Sequence, residues 1–207
     1  MDKKQIKKFR PEGDPFIWGS FILALFFGLV GLHFIAIVFL ALTLFMVSFF
    51  RDPERKIVYD PTLILSPADG KVMEVKKTED GWFVSIFMSL FDCHVNRAPV
   101  TGIVRSIEDH GRGYRPAFDR NAGSNVAKST YIEAWFGTVR VTQITGVLAR
   151  RIVLWIKEGD RVEAGDRIGM IMFGSRVDLY FPGDWEIFVR KGMKVRSGET
   201  IIGRIIR

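Results

Sequence analysis

The sequence predicts a mainly β domain preceded by an N-terminal transmembrane helical hairpin. A charge-free apolar run fills Pro15 to Phe50. Short apolar segments broken by Gly, Pro and Asp fill the rest, and no convincing amphipathic helix follows residue 50.

Residues 1–14 form a basic tail with Lys3, Lys4, Lys7, Lys8 and Arg10. The apolar run of 15–50 comes next. As one straight helix at ~1.5 Å per residue it would reach about 50 Å, well beyond a hydrocarbon core of ~30 Å. Gly28 and Gly31 sit near its middle and permit a turn. Arg51, Arg55 and Lys56 follow it, so positive charge flanks both ends, which favours two cytoplasmic ends and hence a tight two-helix hairpin or a re-entrant loop rather than a single span. The run is too long for a signal peptide and lacks a small-residue cleavage site. His33 falls near the proposed turn and is expected to be interfacial. Residues 51–64 are a linker, and 65–207 form the β-rich domain.

Candidate strands cover 71–77, 82–88, 102–108, 129–136, 138–144, 150–157, 167–173, 176–181, 186–190 and 200–206. The polar, Gly-rich stretch 109–128 is expected to be a long loop, and long loops often carry function. A short repeat is present: "IKEGDRVEAGDRIG" (156–169) and "VRKGMKVRSGETII" (189–202) share glycines at matching places. Gly159, Gly165, Gly192 and Gly198 suit tight turns with positive φ. The pattern resembles the turns of lipoyl and biotinyl carrier domains, which implies a barrel-sandwich-like β domain and says little about function.

The chain has 207 residues, 48% of them hydrophobic, and a formal charge of +7, which suggests an anionic partner. A single cysteine, Cys93, excludes an intramolecular disulfide and a multi-cysteine metal cluster. With three histidines, one of them in the apolar run, no metal site is expected. No aromatic-basic module points to nucleic acid.

In "IMFGSRVDLYF" (171–181), Ile171, Phe173, Val177, Leu179 and Phe181 alternate with the remaining residues, and Ser175 falls in the apolar series. Such a serine either bonds a neighbouring backbone group or acts as a nucleophile. Gly174 before it relieves crowding at the carbonyl that Ser175 Oγ would attack. The strand-turn-helix elbow G-x-S-x-G is absent. By parity Arg176 faces away from Ser175, and Arg150 and Arg151, in one strand, place at most one side chain near it. "SPADGKV" (66–72) carries Asp69 in a turn, and "FDCHVNRAPVTG" (91–102) carries Asp92, His94, Asn96 and Arg97 between strands. Cys93 and His94 point to opposite faces if extended, which argues against a Cys-His nucleophile pair.

Together these stretches, with "TGVLARRIVLWIKEGDRVEAGDRIGMI" (145–171) and "FGSRVDLYFP" (173–182), resemble the phosphatidylserine decarboxylases in family order over most of the chain after residue 60. The compact length and the Phe-Gly-Ser-Arg form are similar to the short bacterial and archaeal subclass, which includes the archaetidylserine decarboxylases. The resemblance implies a carboxy-lyase that cuts itself between Gly174 and Ser175. The upstream β chain would be 1–174 and the α chain 175–207, staying associated through a shared sheet. Ser175 would become a covalent pyruvoyl group, the cofactor and electron sink of the reaction. The substrate would be an anionic serine phospholipid whose headgroup is converted to ethanolamine at the cell membrane, with the catalytic domain on the cytoplasmic side.

The resemblance also implies an acid–base role for His94 and a supporting role for Asp69. Many family members carry a second histidine three residues after the first, where this chain has Arg97. Either His94 performs both tasks or Arg97 substitutes electrostatically. The family's Asn-Glu-Arg stretch corresponds roughly to "SNVAKS" (124–129). Two rival readings are a membrane-tethered barrel-sandwich binding module and a membrane serine hydrolase that uses Ser175 uncut. The first leaves His94, Asp69 and Ser175 unexplained and lacks a carrier lysine motif at the turn tips; the second predicts an intact chain.

Overall fold

The computed structural model describes residues 10–111, 113, 125–146, 151–172 and 175–206. Lys3, Lys4, Lys7 and Lys8 of the basic tail, most of the 109–128 loop, Arg150 and Gly174 lie outside the described residues. The chain divides into two compact units, Met1–Glu54 and Arg55–Arg207.

The first unit is a pair of helices, α1 (Asp14–Leu29) and α2 (His33–Phe49), behind a single 3-10 turn at Pro11–Gly13. Pro15 lies in the first turn of α1, where its missing N–H costs no helical bond. Gly31 adopts φ +79°, a left-handed value that suits glycine, and so lets the chain reverse after α1. Along the pair, Thr43 Oγ1 donates to Ser20 Oγ at 2.9 Å, and the Phe27 and Phe39 rings stack at 5.6 Å. Both hydroxyls are buried, while Trp18, Leu29 and Phe34 are exposed. The run Pro11–Leu29 is long and apolar enough to cross a bilayer; His33–Phe49, at 17 residues, is shorter.

The second unit is mainly β. In chain order its strands are β1 (Leu63–Leu65), β2 (Gly70–Lys77), β3 (Gly81–Met88), β4 (Val95–Arg97), β5 (Gly102–His110), β6 (Ala127–Ala134) and β7 (Gly137–Thr145). They continue with β8 (Ile152–Leu154), β9 (Arg161–Val162), β10 (Arg167–Ile171), β11 (Ser175–Pro182), β12 (Trp185–Ile187), β13 (Lys194–Val195) and β14 (Ile201–Ile205). An eight-stranded antiparallel sheet runs β13-β2-β3-β11-β7-β6-β5-β9. Two three-stranded sheets, β1-β14-β12 and β4-β10-β8, complete the domain.

The repeat explains part of this arrangement. Each copy yields a two-residue strand, a turn and a five-residue strand. The short strands, β9 and β13, close opposite edges of the large sheet, and the longer ones, β10 and β14, are the middle strands of the two small sheets. All four repeat glycines have φ between +75° and +91°. A Cβ at Gly165 or at Gly198 would fall within 2.5–2.8 Å of Ile57, so one isoleucine fills the space that both turns leave open.

The alternation read for 175–181 is present in β11, where Ser175, Val177, Leu179 and Phe181 are fully buried. Val177, Leu179 and Phe181 pack with Val84 and Ile86 of β3 and with Val139 and Val141 of β7 in one core. Leu179 pairs with Val84 on one side and Val141 on the other. Leu179→Ala should therefore lower unfolding free energy by about 2–5 kcal/mol, from lost burial plus an uncollapsed cavity. Urea unfolding of an uncut single-chain background measures it; a loss below about 1 kcal/mol would contradict this packing.

Candidate active site

Ser175 opens β11, directly paired with Met88 at the end of β3 and Thr145 at the end of β7. The backbone registers of both neighbours hold it. Its side chain is fully buried, and Oγ–H donates to Met88 Sδ at 3.4 Å. A thioether is a weak acceptor, so this bond orients the hydroxyl without binding it tightly.

The same sulfur accepts a second bond, from Asn96 Nδ2 at 3.6 Å, and Asn96 Oδ1 accepts from Gln143 Nε2 at 2.8 Å. Ser175, Met88, Asn96 and Gln143 thus form one buried cluster spanning β11, β3, β4 and β7. Asn125 adds to it by donating from Nδ2 to the Thr145 carbonyl at 2.6 Å. A buried polar set of this kind is stable when its members satisfy one another.

His94 directly precedes β4, two residues before Asn96. It is fully buried, and Nδ1 bonds the Asp92 carbonyl at 3.0 Å. A carbonyl only accepts, so Nδ1 carries the hydrogen of this bond. Asp92 is fixed in turn, since its carboxylate accepts from Ser89 N at 2.8 Å and Ser89 Oγ at 2.7 Å. The His94 carbonyl accepts from Ile171 N at 3.3 Å, and Met170 pairs with Val95. The segment that leads from Ile171 to Ser175 therefore starts beside His94 and ends beside Met88.

Asp69 is placed differently from the expected partnership with His94. One nitrogen of Arg55, Nη2, bridges both carboxylate oxygens at 2.9 and 2.7 Å. Ser197 donates to Oδ1 from its backbone N at 2.8 Å and from Oγ at 3.0 Å. Among the described residues Asp69 makes these bonds and none to the His94 ring. Burial on its own would lower the Arg55 pKa, but the charge and hydrogen bonds of Asp69, with smaller contributions from Cys93 and Glu199, raise it above the usual value. Arg97, at the position of the family's second histidine, is buried and donates from Nη1 to the Gly165 carbonyl at 2.9 Å. Its guanidinium ties β4 to a repeat turn.

The opposite face of β11 carries Arg176 and Asp178, as parity predicts. Arg176 Nη2 bonds Asp178 at 2.9 Å, and Ser85 Oγ bonds it at 2.6 Å. Burial raises the Asp178 pKa despite both partners.

Several of these residues escaped the sequence reading. Gln143 and Thr145 occupy the inward parity of β7, beyond Val139 and Val141, and are the same signal that singled out Ser175. Ser197 had no comparable signal, because its partner Asp69 is 128 positions away, and Arg55 stood in the sequence only as one of the basic residues after the apolar run.

Residues 42–203 match the family model for phosphatidylserine decarboxylase. A candidate archaetidylserine decarboxylase proenzyme of Methanosarcina mazei is 48% identical over 178 residues, covering 86% of this chain and 84% of that one. The phosphatidylserine decarboxylase proenzyme of Desulfotalea psychrophila is 41% identical over 204 residues, with 94% and 95% covered. That of Nitratidesulfovibrio vulgaris is 43% identical over 202 residues, with 94% and 93% covered.

Proposed function

The chain belongs to the phosphatidylserine decarboxylase family of carboxy-lyases, and from that premise we propose that it matures by cutting itself at Gly174-Ser175 and then decarboxylates the serine headgroup of a phospholipid. The observation that carries this reading is Ser175, a fully buried hydroxyl at the head of a strand paired on both sides and oriented by a thioether. An inward serine with so weak a partner is poorly explained by folding.

In the maturation step, Ser175 Oγ attacks the Gly174 carbonyl, and the acyl group moves from nitrogen to oxygen. Loss of the Ser175 Cα proton then expels the Gly174 carboxylate and ends the upstream chain at 174. The dehydroalanine left at 175 takes up water and releases ammonia, leaving a pyruvoyl group on the downstream chain. A base near Ser175 is needed to take the Oγ proton and the Cα proton, and the buried His94, whose carbonyl accepts from Ile171 N ahead of Ser175, is the residue we assign to that work.

The surroundings of Ser175 fit such a group: apolar side chains of β11 and β3 lie on one side and the Asn96 and Gln143 amides join through the Met88 sulfur. The pyruvoyl carbonyl supplies an acceptor for the electron pair left when CO2 departs. This chain's residues exclude water from that centre, hold its strand and carry the proton. We propose further that α1 and α2 form a membrane hairpin, with the catalytic domain on the cytoplasmic side. The apolar, outward-facing helices and the flanking Arg10, Arg51, Arg55 and Lys56 support it.

Intact-mass analysis tests the reading on protein released from washed membranes by detergent. The expected result is two pieces, 1–174 and 175–207, the smaller with a borohydride-reducible N-terminus. A folded chain that stays whole after long incubation would refute self-processing, and release by an alkaline wash alone would refute the hairpin.

A further inference from the structure

Asp69 lies where several distant parts of the chain meet. Arg55 comes from the start of the β unit and Ser197 from a repeat turn in 175–207, and the Asp69 turn itself is stitched to β4 by Arg97 N bonding the Pro67 carbonyl at 2.9 Å. On the other side, Gly198 N bonds the Ser66 carbonyl at 2.8 Å, and Ser66 N bonds the Thr200 carbonyl at 2.8 Å. The single Ser197 Oγ hydrogen is shared between Asp69 Oδ1 at 3.0 Å and, more weakly, the carbonyl of Val95, the residue after His94, at 3.4 Å.

These contacts make the carboxylate a junction. The Arg55 and Asp69 side chains are 7% and 14% exposed, so the carboxylate has largely exchanged water for protein donors. A carboxylate in that position is costly unless donors and an opposite charge surround it. Arg55 supplies the charge on one nitrogen that bridges both oxygens, and Ser197 supplies two further donors to Oδ1. Arg55 is itself held by Glu199, whose Oε2 is 3.5 Å from Nη1. Removing either holder takes donors from the carboxylate, and Ser197 is the holder that also reaches the backbone beside His94.

We propose that Arg55 and Ser197 are positioning residues for Asp69, and that through this junction the segment downstream of Ser175 holds the His94-bearing strand in register for chemistry. The inference rests on the self-processing reading above. It makes the action of Asp69 indirect: the carboxylate steadies the backbone at Val95 by way of Ser197, and the His94 ring takes its own orientation from Asp92. It also means that the downstream chain contributes to the site a second residue besides Ser175.

The test is a double-mutant cycle on the rate at which the full-length chain cuts itself in detergent micelles. Arg55→Gln should slow cleavage about 10- to 100-fold, the scale of a displaced reacting group. If Arg55 acts through Asp69, adding Arg55→Gln to Asp69→Asn should slow cleavage no further, and adding Ser197→Ala to Asp69→Asn should likewise slow it no further. Once matured by long incubation, the Arg55→Gln enzyme should show a lower kcat with an unchanged KM for dispersed serine phospholipid. The fraction folded is read from each substitution placed in an uncut Ser175→Ala chain.

Factors that multiply in the double variants would overturn the proposal, as would wild-type cleavage by Arg55→Gln or a slowing that merely tracks the fraction unfolded. Failure of the underlying reading looks different, because then the wild-type chain itself stays whole.

Discussion

A Ser175→Ala chain is expected to remain full length indefinitely and to release no CO2 from a serine phospholipid. The substitution removes the attacking oxygen and the atom whose loss creates the carbonyl, so both maturation and catalysis end together. It should not prevent folding. Ser175 is held in β11 by backbone pairing to Met88 and Thr145, which alanine retains, and the lost side-chain bond goes to a sulfur. Losing such a bond costs on the order of 1 kcal/mol. Intact mass, unfolding and CO2 release on one preparation separate the cases. A folded Ser175→Ala chain still cut ahead of residue 175, or still decarboxylating, would remove Ser175 from the chemistry.

His94→Ala carries the second largest effect, a slowing of self-cleavage by about 10²–10⁴-fold, the usual range for losing a positioned acid–base group. Burial, the Nδ1 bond to the Asp92 carbonyl and the Ser89 bonds to the Asp92 carboxylate fix the ring's orientation before any chemistry starts. The rate is followed by gel densitometry of freshly made precursor, with and without added imidazole. Partial recovery with imidazole is expected, since a small base can enter the space the side chain leaves. A wild-type rate in the variant would exclude His94 as the base. A slow rate that imidazole leaves untouched, in a chain with reduced folded fraction, would reassign the residue to packing.

How much was readable beforehand depended on distance along the chain. Ser175 stood out because β11 alternates without interruption, so a polar residue on the buried side is visible from local pattern alone. Gln143 and Thr145 break the same alternation in β7 and were open to the same test. The repeat glycines were legible because a tight turn with positive φ tolerates few other residues. β1 and β4, with three residues each, are too short for any period to register. The surroundings of Asp69 are a different matter. Ser197 is 128 positions away from it, and nothing local to either residue encodes that meeting. Family resemblance paired Asp69 with His94 in function, whereas the hydrogen bonds couple it to Arg55 and Ser197. Long-range polar contacts arise from the closure of the whole domain, and a single sequence carries no record of them.

The position of β11 inside the large sheet has one more consequence. Both strands that flank it, β3 and β7, belong to the segment upstream of Ser175. A break in the chain ahead of β11 therefore turns a fold that assembles once, within a single polymer, into a partnership between two. Before the break, an unfolded molecule can return to the native state at any dilution. After it, return requires the pieces to find each other, and the peptide bond that guaranteed their proximity does not re-form. If the chain matures at Gly174-Ser175 as proposed, that step would act as a ratchet: it would record that the molecule has folded, and leave the enzyme protected by the height of its unfolding barrier rather than by a reversible equilibrium.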